Sequence, residues 1–423
     1  MRLAVFTNRF PAPVSTFFAR DVRALLETGI DIDIFTLYPL APELWRLVPA
    51  ILNERALPRS HVHHSSVAQT LRSARPWPPR AVGAMLRDVV SVGISAARRG
   101  VDPLGKSLYA LGQARLWAER HPGPYEHVLA YWGNYAATCA YAFHRRTSPG
   151  APFSIMLHAG TDLYRTQVYL PQKLRYADNI LVVCEFNRRY LRDRYPDLFT
   201  HIASKVHVHH LGLDLAEFTY EPNGRPPRTI LGVGKLEAPK GFDYLLRAAA
   251  ALRDRGLAVR VELVGDGPAA AALRALARTL RIEPHVMFRG WLPPDEVRIA
   301  MRNVTLLAHP STELGDAVPT VIKEAMALGT PVVASDLAGI PELLDGGRCG
   351  MLVPPRDVSA LADAIAAMLT HDAVRTRYAE AARAHMERSF DLWRNGRQLA
   401  ELLGATRRRG GIAEASRVRA RRE

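Results

Sequence analysis

From Thr229 to Leu369 the chain repeats one unit: a short run of aliphatic and β-branched residues, a turn, and an amphipathic stretch at helical spacing. Ile230–Val233, Val259–Val264, Val286–Phe288, Thr305–Leu307 and Val332–Ala334 read as strands. Phe242–Arg255, Ala269–Leu280, Thr320–Leu328 and Ser359–Leu369 read as the helices that alternate with them. Such alternation builds a parallel sheet covered on both faces, because every crossover helix must bury its apolar stripe against the sheet. Sheets of this kind bind ligands in loops beyond the carboxyl ends of their strands, where strand order reverses. Chemistry is therefore expected in loops that follow strands.

The same pattern opens the chain, with a strand at Leu3–Thr7, a helix from Ser15 to Glu27, a turn at Gly29 and a strand at Asp31–Leu37. Further strands are expected at Phe153–Leu157, Asn179–Val183 and Val206–His209. A chain of 423 residues outgrows a single core, so two α/β domains are expected. The Pro- and Gly-rich stretch EPNGRPPR, Glu221–Arg228, reads as the linker between them. That divides the chain into residues 1–220 and 229–390, followed by a terminal helix over 391–404 that returns to the first domain.

Two segments break the rhythm. Residues 42–123 read as a helical insertion, with Val82, Met85, Leu86, Val89 and Val90 recurring at helical spacing. Residues 405–423 form an arginine-rich tail expected to be without regular structure. The plain reading of both is packing and solvated charge; the other is contact with an anionic membrane surface or a lipid-linked acceptor. The net charge of +15 would favour nucleic acid, lipid headgroups or phosphorylated small molecules. No basic stripe with interleaved aromatic residues is present, so nucleic acid is not an expected partner.

Cys139, Cys184 and Cys349 are too few and too scattered for a disulfide framework or a CxxC-type zinc site. The N-terminus lacks the apolar core of a signal peptide, and no apolar run is long enough to span a bilayer. A cytoplasmic protein, at most peripheral at the inner face of a membrane, is the expectation.

Three motifs carry chemistry. GKLEAPKG, Gly234–Gly241, follows a strand and precedes a helix, placing Lys235 and Lys240 where they can neutralise a diphosphate while glycine admits it to the backbone. It is neither a Walker loop nor a dinucleotide fingerprint, and two solvated lysines are the plain alternative. Gly265-Asp266-Gly267-Pro268 makes a second glycine-rich turn after the next strand. In HPSTELGDAVPTVIKEAMALGTPVVAS, His309–Ser335, Pro319 suits a helix start, Thr320 and Val321 offer free amides, Asp316 lies in the loop, and Glu324 lies in the helix. A carboxylate there can accept both protons of two vicinal hydroxyls, as on a ribose.

These segments resemble the signature regions of the retaining glycosyltransferases of family 4. EAMALGTPVVAS and AGIPELL match the E-x7-E region, GKLEAPKGFDYLL the donor-phosphate segment, and VELVGDGP the nucleotide-side turn. In the first half FPAPVSTFFARDV, HAGTD at His158–Asp162, CEFNRRYL and HLGLDLAEF are similar to members that build bacterial exopolysaccharides. The resemblance implies the GT-B fold, two Rossmann-like α/β/α domains facing across a cleft. It assigns Lys235 and Lys240 to the donor diphosphate, Glu324 to the ribose, Asp316 to the transferred sugar, and His158 to that sugar from the other domain. Gly234, Gly265, Gly267, Pro319, Thr320 and Val321 would line the donor.

Asp316 stands where the family has its first Glu, and Lys235 replaces a commoner Arg. The implied activity is transfer of a hexose from a UDP- or GDP-sugar to an acceptor glycan, with retention and without metal or other cofactor. A catalytically weak homologue serving as a partner subunit, and a polyanion-binding protein, are the alternatives.

Overall fold

The structure, a computed structural model, describes residues 1–11, 16–38, 57–72, 89–165 and 167–419, excepting the side chains of 71, 72, 161 and 407–419. The chain divides into two compact units, Met1–Gly212 with Leu392–Glu423, and Leu213–Asp391.

The first unit is built on seven parallel strands: β1 Arg2–Thr7, β2 Asp31–Thr36, β3 Val62–His63, β4 His127–Ala130, β5 Phe153–Leu157, β6 Asn179–Val182 and β7 Val206–Val208. Their order is β3-β2-β1-β4-β5-β6-β7, with Val5 paired to Ile34 on one side and Leu129 on the other. Every residue of β4, β5 and β6 is buried, as expected for strands covered on both faces. Strand order reverses between β1 and β4.

The segment expected as a helical insertion is more closely woven into this sheet. β3 extends the edge beside β2, and the helix Val101–Arg120 buries Leu111, Ala114 and Trp117 in the core, with the Trp117 indole donating to Ser65 Oγ at 3.1 Å. A two-residue strand gives too short a pattern to read from sequence. Val82, Met85 and Leu86 of the expected amphipathic face lie outside the described residues; Val89 packs on the core and Val90 is exposed.

The last helix runs from Leu392 to Arg419, past the expected stop at 404, because the tail's Ala, Arg and Glu residues are good helix formers. It packs on the helix Thr16–Glu27, where a Cβ on Gly396 would meet that of Ala24 at 2.4 Å. Asn395 donates to the His210 carbonyl at 2.9 Å and Asn179 to Thr406 Oγ1 at 2.8 Å, so the helix belongs to the first unit.

The second unit holds β8 Thr229–Val233, β9 Arg260–Val264, β10 Val286–Gly290, β11 Leu306–His309, β12 Val332–Ser335 and β13 Met351–Val353, all parallel. The order β10-β9-β8-β11-β12-β13 reverses between β8 and β11. The boundary between units falls at 212/213 rather than at the expected linker. Arg225 explains why: its guanidinium donates to the carbonyls of Met301, Arg302, Val304, Glu221 and Leu328, fastening Glu221–Arg228 to the second unit. Arg225→Ala is expected to destabilise that unit by about 2–3 kcal/mol in chemical denaturation, because these carbonyls lose their donor.

Two buried histidines link stability to pH. Burial holds His127 down to about 3 and His309 to about 4, against 6.5 for an ordinary imidazole. As pH falls below 6.5 the unfolded chain takes up these protons before the folded one does, so stability is lost between pH 6.5 and about 3. A thermal midpoint that falls steadily from pH 7 to pH 4.5 is the expected result.

Candidate functional site

Reversal of strand order between β8 and β11 makes neighbours of the loops that follow them. Thr312 N–H donates to the Pro239 carbonyl at 2.9 Å, joining the two loops directly. The loop after β9 locks in from the other side: Leu236 N–H donates to Asp266 O and Ala269 N–H to Leu236 O, both at 2.9 Å.

Glycine is required where these loops touch. A Cβ on Gly265, at φ 133°, would lie 1.9 Å from the Gly234 carbonyl oxygen, and one on Gly241, at φ 67°, would lie 1.9 Å from that of Pro310. Gly267 meets Leu236 in the same way. These glycines therefore allow the loops to pack directly on one another.

The two predicted lysines part company. Lys240 closes a 3₁₀ turn, Ala238–Lys240, and its ammonium pairs with the Asp316 carboxylate across the joined loops. Its side chain is only 16% exposed, against 47% for Asp316. Lys235 is 64% exposed and pairs with Glu237 at 2.9 Å, a local contact away from Lys240's partner.

Beneath the pair lies His309, at the end of β11, buried and within 3.0 Å of Ser311 Oγ through Nε2. Burial chiefly, and then the Lys240 charge, hold it neutral, with Asp316 opposing. The sequence reading quoted His309 but gave it no role.

The helix Thr320–Leu328 starts at Pro319, which offers no side-chain cap, and Ile322 N–H donates back to the Pro319 carbonyl at 3.2 Å. The amides of Thr320 and Val321 thus lack an intrahelical acceptor, at the positive end of the helix dipole. Half-buried Glu324 sits on this helix. The preceding loop is anchored by Gly339 N–H donating to Ala317 O at 3.0 Å. Lys240, Asp316, His309 and an open helix N-terminus are thereby gathered at the carboxyl edge of the sheet, an arrangement suited to an anion.

His158 belongs to the first unit, at the end of β5, and is 5% exposed. Its ring packs against Trp132, Tyr131 and Phe17, with centroids 4.3, 5.0 and 5.3 Å away. Fully buried Asp162 accepts from the His158, Ala159 and Gly133 amides at 3.0, 2.8 and 3.3 Å. Lys173, also fully buried, donates to the carbonyls of Gly133 and Asn134 at 2.9 and 3.0 Å; burial pulls it down to about 7. Nothing in the sequence marked Lys173, and Asp162 was visible only as the end of HAGTD.

Residues 227–371 match the family model described as Glycosyl transferases group 1. A glycosyltransferase assigned to colanic acid biosynthesis in Escherichia coli (strain K12) is 33% identical over 208 residues, 48% of this chain and 51% of its own length. The chain thus spans about half the length of the first curated relatives it matches. The amylovoran biosynthesis glycosyltransferase AmsK of Erwinia amylovora is 24% identical over 95% of this chain and 99% of its own. Among solved structures, Anabaena HepE in complex with UDP has a TM-score of 0.67 at 18% identity, covering 96% of this chain and 99% of that one. The fold is the two-domain α/β fold of the GT-B glycosyltransferases.

Proposed function

Since residues 227–371 match the group 1 glycosyl transferase model, we propose that this chain moves a hexose from a nucleotide diphosphate sugar to an acceptor glycan in the assembly of a bacterial exopolysaccharide. The observation that carries the reading is the pairing of Lys240 with Asp316, in the loop that leads into the open N-terminus of the helix Thr320–Leu328. Departure of a diphosphate from an oxocarbenium-like carbon is the difficult step, and negative charge building on the phosphates must be met where it forms. Lys240 supplies a cation, and the Thr320 and Val321 amides supply donors with a favourable dipole.

In this reading the donor diphosphate displaces Asp316 from Lys240, releasing the carboxylate to take a hydroxyl of the sugar. Glu324 accepts the ribose hydroxyls, and His158 takes a further sugar hydroxyl. Lys235 is left a lesser part, consistent with its pairing to Glu237. Lysine and amide donors meet the leaving charge without a metal ion. Retention follows from attack on the face the diphosphate leaves, its departing oxygen taking the acceptor proton.

We propose a lipid-linked acceptor at an anionic membrane surface. Exposed Ile94 and Val101, 51% and 87% accessible beside Arg98 and Arg99, support this reading. Among the described residues no helix is long and apolar enough to cross a membrane.

The test is mass spectrometry of products from a panel of UDP- and GDP-sugars, run with and without EDTA. One donor is expected to give a glycosylated product and free nucleoside diphosphate in both arms. No transfer or hydrolysis from any donor would refute the function, and product only without EDTA would refute the metal-free step.

A further inference from the structure

The Asp162 carboxylate has more donors than a turn requires. Besides the three backbone amides, the His158 ring nitrogen Nδ1 lies 3.3 Å from Asp162 Oδ2. A carboxylate only accepts, so in the neutral ring Nδ1 carries the proton and Nε2 bears the lone pair. Nε2 is buried and has no hydrogen-bond partner among the described residues. An acceptor left so bears an uncompensated desolvation cost, which a ligand hydroxyl arriving at Nε2 would recover.

The surroundings fix this arrangement from two strands. Asn187 donates to the His158 carbonyl at 2.6 Å, holding the backbone at the end of β5. Gly133, after β4, gives its amide to Asp162 and its carbonyl to Lys173, and a Cβ there would strike Leu157 at 2.4 Å. Lys173 donates also to Thr138 Oγ1 at 3.1 Å. Trp132, Tyr131 and Phe17 wall the imidazole. Phe17 and Trp132 are only half-buried, so a small shift of either ring would admit a partner to Nε2.

We infer that Asp162 is a positioning residue for transfer: it fixes the neutral His158 ring with its proton on Nδ1, presenting Nε2 as the acceptor for a hydroxyl of the bound sugar. The inference rests on the sugar-transfer reading above and adds the group that orients His158. Lys173 supports the same geometry by holding the turn that Asp162 binds.

The direct test is long-range ¹H–¹⁵N NMR of ¹⁵N-histidine-labelled protein, with the His158 signals identified by their loss in His158→Gln. A protonated Nδ1 and an unprotonated Nε2 are expected in the wild type; an Nε2–H ring, or an even mixture, overturns the inference. Transfer assays give the second arm. His158→Gln, which places an acceptor oxygen at the ε position, is expected to keep kcat/KM within about 10-fold of wild type, while His158→Asn falls at least about 10-fold further.

Asp162→Asn offers one acceptor oxygen where two are used, and is expected to lower kcat/KM about 10-fold or more while the His158 tautomer becomes mixed. Equal activity in His158→Gln and His158→Asn, or wild-type activity in Asp162→Asn, overturns the inference. Absence of transfer in the wild type would instead strike the function, leaving the tautomer to be decided by NMR alone.

Discussion

Lys240→Ala is expected to lower kcat/KM roughly 10²- to 10³-fold, the cost of removing one preorganised group that meets charge in the transition state. Lys240 is the cation that the structure both half-buries and turns across the joined loops, so truncation removes a charge held in a restricted environment. Glu324→Ala is expected to abolish both transfer and donor hydrolysis, since the nucleotide loses the acceptor for its ribose hydroxyls. Neither change removes a group from the hydrophobic core, and circular dichroism of both variants should match the wild type. Steady-state assays with the donor identified by mass spectrometry supply the check. Turnover within a few-fold of wild type in both variants would end the assignment of this site. Lys235→Ala serves as the contrast, with a smaller expected loss because Lys235 is largely exposed and already paired to Glu237.

Gly241→Ala carries the second large effect. Its backbone is left-handed at φ 67°, and the new Cβ would lie 1.9 Å from the Pro310 carbonyl oxygen, so two loops must separate to accept it. Destabilisation of about 3 kcal/mol or more is expected, together with loss of activity as Lys240 moves away from the helix terminus. Gly346→Ala isolates the backbone term: φ there is 64°, and a Cβ would meet nothing within 4 Å. That variant should lose only about 1 kcal/mol and keep its activity. Equal loss of stability in the two variants, read by chemical denaturation, would show that loop contact at Gly241 is not what matters.

Legibility from sequence varied with how local each cause is. The helix Thr320–Leu328 was readable at both ends, because Pro319 suits its start and Gly329 takes the left-handed conformation, φ 77°, at its close. Buried strands such as Phe153–Leu157 were readable as apolar runs. The strand order that brings the loops after β8 and β11 together is a tertiary property, yet the rule for parallel sheets directs attention to those loops from the sequence alone.

What escaped depends on partners distant in sequence. Arg225 looked like one charge in a Pro- and Gly-rich linker, because the Met301, Arg302 and Val304 carbonyls it binds lie more than 70 residues on. Lys235 and Lys240 share one loop in the sequence, and only the fold gives Glu237 to the first and Asp316 to the second. Lys173 and Asp162 could not be read as a pair of clamps, since Gly133, which they share, stands between strands that meet only in the folded sheet. Family resemblance supplied His158, but not the environment that orders its ring.

The central claim, that Lys240 and the helix starting at Thr320 form a nucleoside diphosphate site, is tested most directly by isothermal titration of UDP and GDP into wild type and Lys240→Ala. One of the two nucleotides should bind the wild type at a single site per chain, with affinity reduced at least about 10-fold in the variant. Binding of equal strength to both proteins, or no binding of either nucleotide to the wild type, would contradict it.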